Sequence, residues 1–189
     1  MSNETLQILA VDAGNTRVKW GLHDGSSWLL RAAFATAQAA SAEAFSHLPA
    51  GVRVDRIIVS NVAGPIVANA IKDALYRLGV PLTFITSADR QCGVTNHYDR
   101  ADALGSDRWA ALVAAHAALY ATPGPQLVVM AGTALTVDAI TAEGDFLGGV
   151  IVPGPALMRS ALNRGTAQLP GEPGDYQTFV PKLRSAGVT

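Results

Sequence analysis

The stretch Leu6-Gln-Ile-Leu-Ala-Val-Asp12-Ala-Gly-Asn-Thr16-Arg-Val-Lys-Trp20-Gly-Leu22 decides how the rest of the chain reads. An apolar run ends at Asp12 and gives way to a small polar turn. Val18, Trp20 and Leu22 then alternate with Arg17, Lys19 and Gly21, the two-residue period of a half-buried strand. His23-Asp-Gly-Ser26 has turn chemistry, and Trp28 to Arg31 can return as a third strand. A β-meander with a glycine turn near its start is the predicted opening element.

Working outward, Gln38 to Leu48 is rich in alanine and predicts a helix. Arg56 to Ser60 reads as a buried strand. Pro65 suits a helix start, with Val67, Ile71, Ala74, Leu75 and Leu78 at helical spacing up to Gly79. Pro81 to Thr86 reads as another strand. Ser106 is predicted to cap a helix running to about Tyr120, with Asp107 in its first turn and Trp109, Leu112, Val113, Leu119 and Tyr120 on its packed side. Thr122-Pro-Gly-Pro125 stops that helix and divides the chain into lobes 1–121 and 122–189. Past it the opening pattern recurs: Leu127-Val-Val-Met-Ala-Gly-Thr133 matches Leu9-Ala-Val-Asp-Ala-Gly-Asn15, which sets Met130 against Asp12. Leu135, Val137 and Ala139 alternate, Glu143-Gly-Asp145 turns, and Phe146 to Val152 returns. Two such units predict an α/β fold of duplicated lobes. The tail from Pro170 has little core-forming pattern.

Composition narrows the function. The chain has 189 residues, 49% hydrophobic and 15% charged, with a net charge of −1 and one cysteine, Cys92. Lys and Arg are scattered, which argues against a nucleic-acid partner. There is no basic, apolar leader and no uncharged run near the roughly 18 residues that span a bilayer. A soluble intracellular protein without a membrane partner is the expectation. His23, His47, His97 and His116 show no metal-ligand spacing. The G-x-S-x-G elbow, the G-x-x-x-x-G-K-[ST] loop and G-x-G-x-x-G after a strand are all missing from the sequence.

Four segments have chemical potential. In Asp12-Ala-Gly-Asn-Thr16, Gly14 allows close backbone approach, and Asp12 can reach Mg²⁺ through water; a hairpin whose polar residues cap their own backbone explains it equally well. In Leu104-Gly-Ser-Asp-Arg-Trp109, Asp107 can accept a substrate proton and Arg108 can grip an anion, while an ordinary acidic first turn is the plain alternative. Ala131-Gly-Thr-Ala-Leu-Thr136 is a second small-residue turn able to meet phosphates, or a tight turn between core strands. Gly148-Gly-Val-Ile-Val-Pro-Gly154 lets a nucleotide lie on backbone, or lets strand and helix pack closely.

In this order the four segments resemble the type III pantothenate kinases, of the acetate and sugar kinase, Hsp70 and actin superfamily, from about Ile8 to Pro170. The motif D-x-G-N-T-[RN]-x-K is met by Asp12, Gly14, Asn15, Thr16, Arg17 and Lys19. Tyr followed by L-G-x-D-R is met by Tyr98 and Leu104 to Arg108, and G-T-A-x-T by Gly132, Thr133, Ala134 and Thr136. The resemblance implies two ribonuclease H-like lobes with mixed sheets around a cleft. It implies ATP-dependent phosphorylation of pantothenate to 4'-phosphopantothenate, the start of coenzyme A synthesis, by a cytoplasmic homodimer. Asp107 would be the catalytic proton acceptor. Tyr98, Gly105, Ser106, Asp107 and Arg108 would hold pantothenate. Asp12, Ala13, Gly14, Asn15, Thr16, Arg17, Val18, Lys19 and Thr133 would hold ATP, with Mg²⁺ at Asp12 through water.

Two departures temper the resemblance. Met130 stands where the family has the acid that ligates a monovalent cation, potassium or ammonium, and a thioether is a poor ligand for it. Weak potassium dependence is therefore expected. The chain also stops short of the family's later elements, so the second lobe is expected to be incomplete and to leave apolar sheet surface uncovered. Two further readings stand beside the active kinase: a nucleotide-binding remnant without turnover, and a regulatory protein like the relatives called Bvg accessory factor.

Overall fold

The computed structural model describes residues 5–41, 43–119, 121–122 and 124–165. Contacts divide them into two compact units, one within 1–128 and 137–149, the other within 129–136 and from 150 onward. The tail from Pro170 and the side chain of Tyr120 lie outside the described residues.

The opening stretch forms β1 (Ile8–Ala13) and β2 (Arg17–His23), followed by β3 (Trp28–Ala35). β4 (Arg56–Asn61) and β5 (Leu82–Phe84) complete a five-stranded sheet in the order β3-β2-β1-β4-β5. The meander β1-β2-β3 is antiparallel, whereas β4 lies parallel to β1 and β5 parallel to β4. The alternation in β2 works as written, with Val18, Trp20 and Leu22 buried, and Leu9, Val11, Ile57 and Val59 are buried on the same face. Helix α1 (Pro65–Leu75), with proline in its first turn, lays Ile71 and Leu75 into that core. It runs into a short 3₁₀ turn at Tyr76–Leu78 and ends at Gly79, whose φ of 62° is the left-handed conformation common after a helix.

The helix expected over Gln38 to Leu48 does not form. Thr36–Gln38 is a single 3₁₀ turn, and the bonds that follow it, such as Ser41 N–H to the Gln38 carbonyl and Leu48 N–H to the Phe45 carbonyl, close tight three-residue-spaced turns. The buried positions Ala39, Phe45 and Leu48 do not repeat at 3.6 residues. Phe45 takes a φ of 61° to stack against Trp20 and Phe34, so core packing overrides alanine's helix propensity.

A second sheet has the order β6-β7-β10-β9-β8, from β6 (Arg90–Gln91), β7 (Val94–Asn96), β8 (Gln126–Ala131), β9 (Ala134–Ile140) and β10 (Asp145–Pro153). It is also mixed, since β7 pairs antiparallel with β6 and parallel with β10. The fold is thus α/β with two mixed sheets, each holding a strand–Ala-Gly-turn–strand unit, as the recurrence predicted. Helix α2 (Ser106–Ala118) buries Trp109 and Leu112 with Val94, Leu104, Ile140 and Phe146 in a second core. Leu119 falls outside that packed side and is exposed. Helix α3 (Pro155–Gly165) follows β10.

β9 departs from the expected pattern. Leu135, Val137 and Ala139 are only half-buried, and the buried set is Thr136, Asp138 and Ile140. The sheet also exposes apolar side chains: Leu127 is 70% and Leu147 68% accessible.

Candidate active site

The first turn, Gly14 to Thr16, joins β1 to β2. Gly14 N–H donates to the Arg17 carbonyl at 3.1 Å, and a Cβ on Gly14 would sit 3.3 Å from that oxygen, so glycine suits the turn. Thr36 closes it from outside. Its hydroxyl donates to the Gly14 carbonyl at 2.6 Å and its N–H to the Thr16 carbonyl at 3.0 Å. Ala13 and Val18 point into the core, while Asn15, Thr16, Arg17 and Lys19 are exposed.

Asp12 stands on the face of the first sheet opposite that core, paired across strands with Lys19 on one side and Ser60 on the other. Lys19 Nζ is 3.4 Å from Asp12 Oδ2, both side chains accessible, so this is a loose surface pair. The same face carries an open cavity of about 650 Å³, floored by Ala10, Gly21, Ala33 and Ile58 and bordered by Asp12, Lys19 and Ser60. That volume is in the range of small-molecule sites.

The second motif meets the first at this end of the sheet. Gly105, rather than the predicted Ser106, is the N-cap of α2, and Ser106 is its first helical residue. The Ser106 hydroxyl is turned instead to Ser60 on β4, 2.9 Å away, and both residues are buried. Val62 N–H donates to the Ala13 carbonyl, and the Val62 side chain lies against Gly105. Asp12, Ser60, Ser106 and Asp107 therefore form a chain of neighbours that sets the start of α2 beside the end of β1.

Asp107 occupies the first turn of α2, where free N–H groups and the helix dipole favour an anion. Its Oδ1 accepts the Arg108 N–H at 2.8 Å. A Cβ on Gly105 would come within 2.6 Å of that oxygen, so only glycine leaves Asp107 this position.

Arg108 is turned inward and nearly buried. Its Nε donates to Asp138 Oδ2 at 3.1 Å and its Nη2 to Asp138 Oδ1, a bidentate pair with a carboxylate that has 0% exposure. Asp138, and to a lesser degree Tyr98, hold the Arg108 pKa above its ordinary value, against burial. Phe146 lies under the guanidinium at 6.0 Å and stacks against Tyr98 at 5.4 Å. Asp138 escaped the sequence reading because a charged residue in an alternating strand reads as solvent-facing.

Two glycines of the last motif, Gly149 and Gly154, lie against protein, whereas a Cβ on Gly148 would meet nothing within 4 Å. A Cβ on Gly149 would fall on Asp138 Oδ1 and lie 2.6 Å from the Val137 carbonyl and 2.9 Å from Arg108 Nη2. Close packing accounts for glycine at position 149. In the second unit, Gly154 N–H donates to the Thr133 carbonyl at 2.8 Å, and a Cβ there would fall on the Gly132 carbonyl. The turn Gly132-Thr133 thus rests on the start of α3, with Thr133 exposed and Met130 half-buried on β8.

No group of three or more His, Cys, Asp or Glu able to hold a metal occurs among the described residues. A single accessible carboxylate such as Asp12 fits Mg²⁺ held mainly by water and substrate phosphates. No helix among the described residues is long and apolar enough to cross a membrane.

Residues 8–182 match the family model for type III pantothenate kinase. Proteins named type III pantothenate kinase from Aromatoleum aromaticum and Dechloromonas aromatica are 46% and 42% identical over 89% and 96% of this chain, which covers 68% and 74% of theirs. For the protein of that name from Nitrosomonas eutropha the figures are 44% identity, 82% of this chain and 59% of the relative. Among solved structures, ethanolamine utilization protein EutJ from Carboxydothermus hydrogenoformans aligns over 83% of this chain and 56% of its own, with 12% identity and a TM-score of 0.49.

Proposed function

Since the chain belongs to the type III pantothenate kinases, we propose that it transfers the γ-phosphoryl group of ATP to the hydroxyl of pantothenate, giving 4'-phosphopantothenate. The observation that carries this is the Ser60–Ser106 hydroxyl contact, which brings the carboxylate turn of α2 to the strand end bearing Asp12. Asp107 accepts the proton of the attacking hydroxyl. With Oδ1 engaged by the Arg108 N–H, Oδ2 is the acceptor. The turn Asp12 to Lys19 would contact ATP, and Asp12 would hold hydrated Mg²⁺, which would supply charge neutralisation on the phosphates. Tyr98, Gly105, Ser106 and Arg108 surround pantothenate. Positioning and electrostatics, rather than a covalent intermediate, supply the acceleration.

The same reading makes the enzyme a cytoplasmic homodimer with weak potassium dependence. The exposed Leu127 and Leu147 support self-association, and Met130 supports the missing cation ligand. No observation favours the remnant or the regulatory alternative. A coupled assay of phosphopantothenate formation with the wild type and Asp107→Asn tests the function. The substitution is expected to lower kcat about 10²- to 10⁴-fold. Binding of ATP and pantothenate by the wild type without any turnover would overturn it.

A further inference from the structure

Asp138 is the most deeply buried carboxylate described, and its two oxygens face one partner, Arg108, thirty residues earlier in the chain. A buried ion pair is a poor source of stability, because desolvation offsets most of the attraction and apolar residues of similar size often serve as well. What such a pair does supply is geometry. A guanidinium is a planar fork of five donors, and a carboxylate that takes the Nε and Nη2 positions fixes the plane of the whole group. Here the plane is backed from two further sides. Gly149 brings bare backbone against both the carboxylate and Nη2, and Phe146 lies under the guanidinium.

Arg108 follows Asp107 directly in the first turn of α2, and its backbone N–H donates to Asp107 Oδ1. We propose that Asp138 is a positioning residue for acceptor recognition: it holds the Arg108 guanidinium in one plane beside Asp107, so that the remaining donors receive the carboxylate of pantothenate. This rests on the kinase function proposed above. Asp138 also neutralises the cation it orients. Selection of the carboxylate therefore depends on directed hydrogen bonds more than on bare charge, and it should suffer when the plane is released even if the positive charge stays.

The test compares pantothenate with pantothenol, in which an alcohol replaces the carboxylate. Wild type, Asp138→Asn and Arg108→Lys are assayed for kcat/KM with both acceptors, and pantothenate binding is followed by calorimetry. Asp138→Asn keeps the shape and frees the guanidinium. Arg108→Lys keeps the ion pair and removes the fork, so it serves where the first variant does not fold. In each, the preference for pantothenate over pantothenol is expected to fall at least about tenfold, mainly through KM for pantothenate, the loss of roughly one well-aligned charged hydrogen bond. A merely structural role lowers both acceptors equally and leaves the ratio unchanged, and that result overturns the proposal. So does an unchanged preference in Arg108→Lys. A wild type that binds pantothenate without turnover refutes the kinase function but leaves the calorimetric comparison to decide the role of Asp138. A wild type that does neither refutes both.

Discussion

Thr36 reaches back across twenty-two positions to donate its hydroxyl to the Gly14 carbonyl at 2.6 Å. The first turn is thereby held at both ends by one residue, since Thr36 N–H also donates to the Thr16 carbonyl. Thr36→Val keeps the shape and the backbone bond but removes the hydroxyl. A loss of about 1 kcal/mol in stability is expected, the usual worth of one hydrogen bond. If the turn holds the phosphates of ATP, KM for ATP should rise several-fold while KM for pantothenate changes little. Equal shifts in both would show that the turn does not act on the nucleotide.

Gly105 is constrained by its neighbour rather than by its backbone. Its φ of −57° suits any residue, yet a Cβ there would lie 2.6 Å from Asp107 Oδ1. Gly105→Ala should therefore fold, at a cost of a few tenths of a kcal/mol or somewhat more at an N-cap, while forcing Asp107 out of place. Displacing a catalytic group by about 1 Å can cost on the order of 10²-fold in rate. The expected result is a fall of that order in kcat with only a small change in melting temperature. Wild-type kcat in a folded Gly105→Ala would remove Asp107 from the chemistry.

These relationships differ in how visible they are in the sequence. The period-two pattern of Arg17 to Leu22 carries over directly, because β2 buries Val18, Trp20 and Leu22 and leaves Arg17 and Lys19 exposed. Gln38 to Leu48 misleads because alanine content says nothing of where Phe45 must go to meet Trp20 and Phe34. On β9 both residue sets alternate, and the apolar one, Leu135, Val137 and Ala139, is the natural choice for the core. Only the arrival of Arg108 from α2 makes Asp138 the buried member. Gly149 looks like a ligand-binding glycine for the same reason: its requirement comes from that ion pair, which no local pattern announces. The motif residues were legible individually, whereas Thr36, Ser60 and Asp138, which position them, come from segments far away in the chain.

Asp55 ties the entrances of β1 and β4 together and should leave a mark on the acid limb of stability. Its Oδ2 accepts the Gln7 N–H at 2.8 Å, and its own N–H donates to the Gln7 carbonyl. The Gln7 N–H, helped by Arg53, lowers the Asp55 pKa below its ordinary value. A depressed folded-state pKa means that the stabilisation is complete above the unfolded pKa, about 3.9 for Asp, and is lost as pH falls through the folded value. The stability advantage of wild type over Asp55→Asn should be largest near neutrality and shrink below about pH 4. Urea midpoints of both proteins across that range measure it, and a constant difference would contradict the assignment.

Ser60 and Ser106 offer the most direct handle on how the two halves of the site are joined. Both are buried, and each is the other's hydroxyl partner at 2.9 Å, one on the strand beside Asp12 and the other just before Asp107. Removing one hydroxyl strands the other without water, which costs about 1–3 kcal/mol, whereas removing both leaves no orphaned group. Ser60→Ala and Ser106→Ala should each destabilise the protein, and the double variant should cost less than their sum, with a coupling of about 0.5–3 kcal/mol. Catalysis should follow a different rule, because either substitution unfastens α2 from β4. We expect kcat to fall in both single variants and to stay low in the double variant even as stability recovers. If kcat instead recovers along with stability, the hydroxyl pair is only a packing detail and Asp107 is placed by something else.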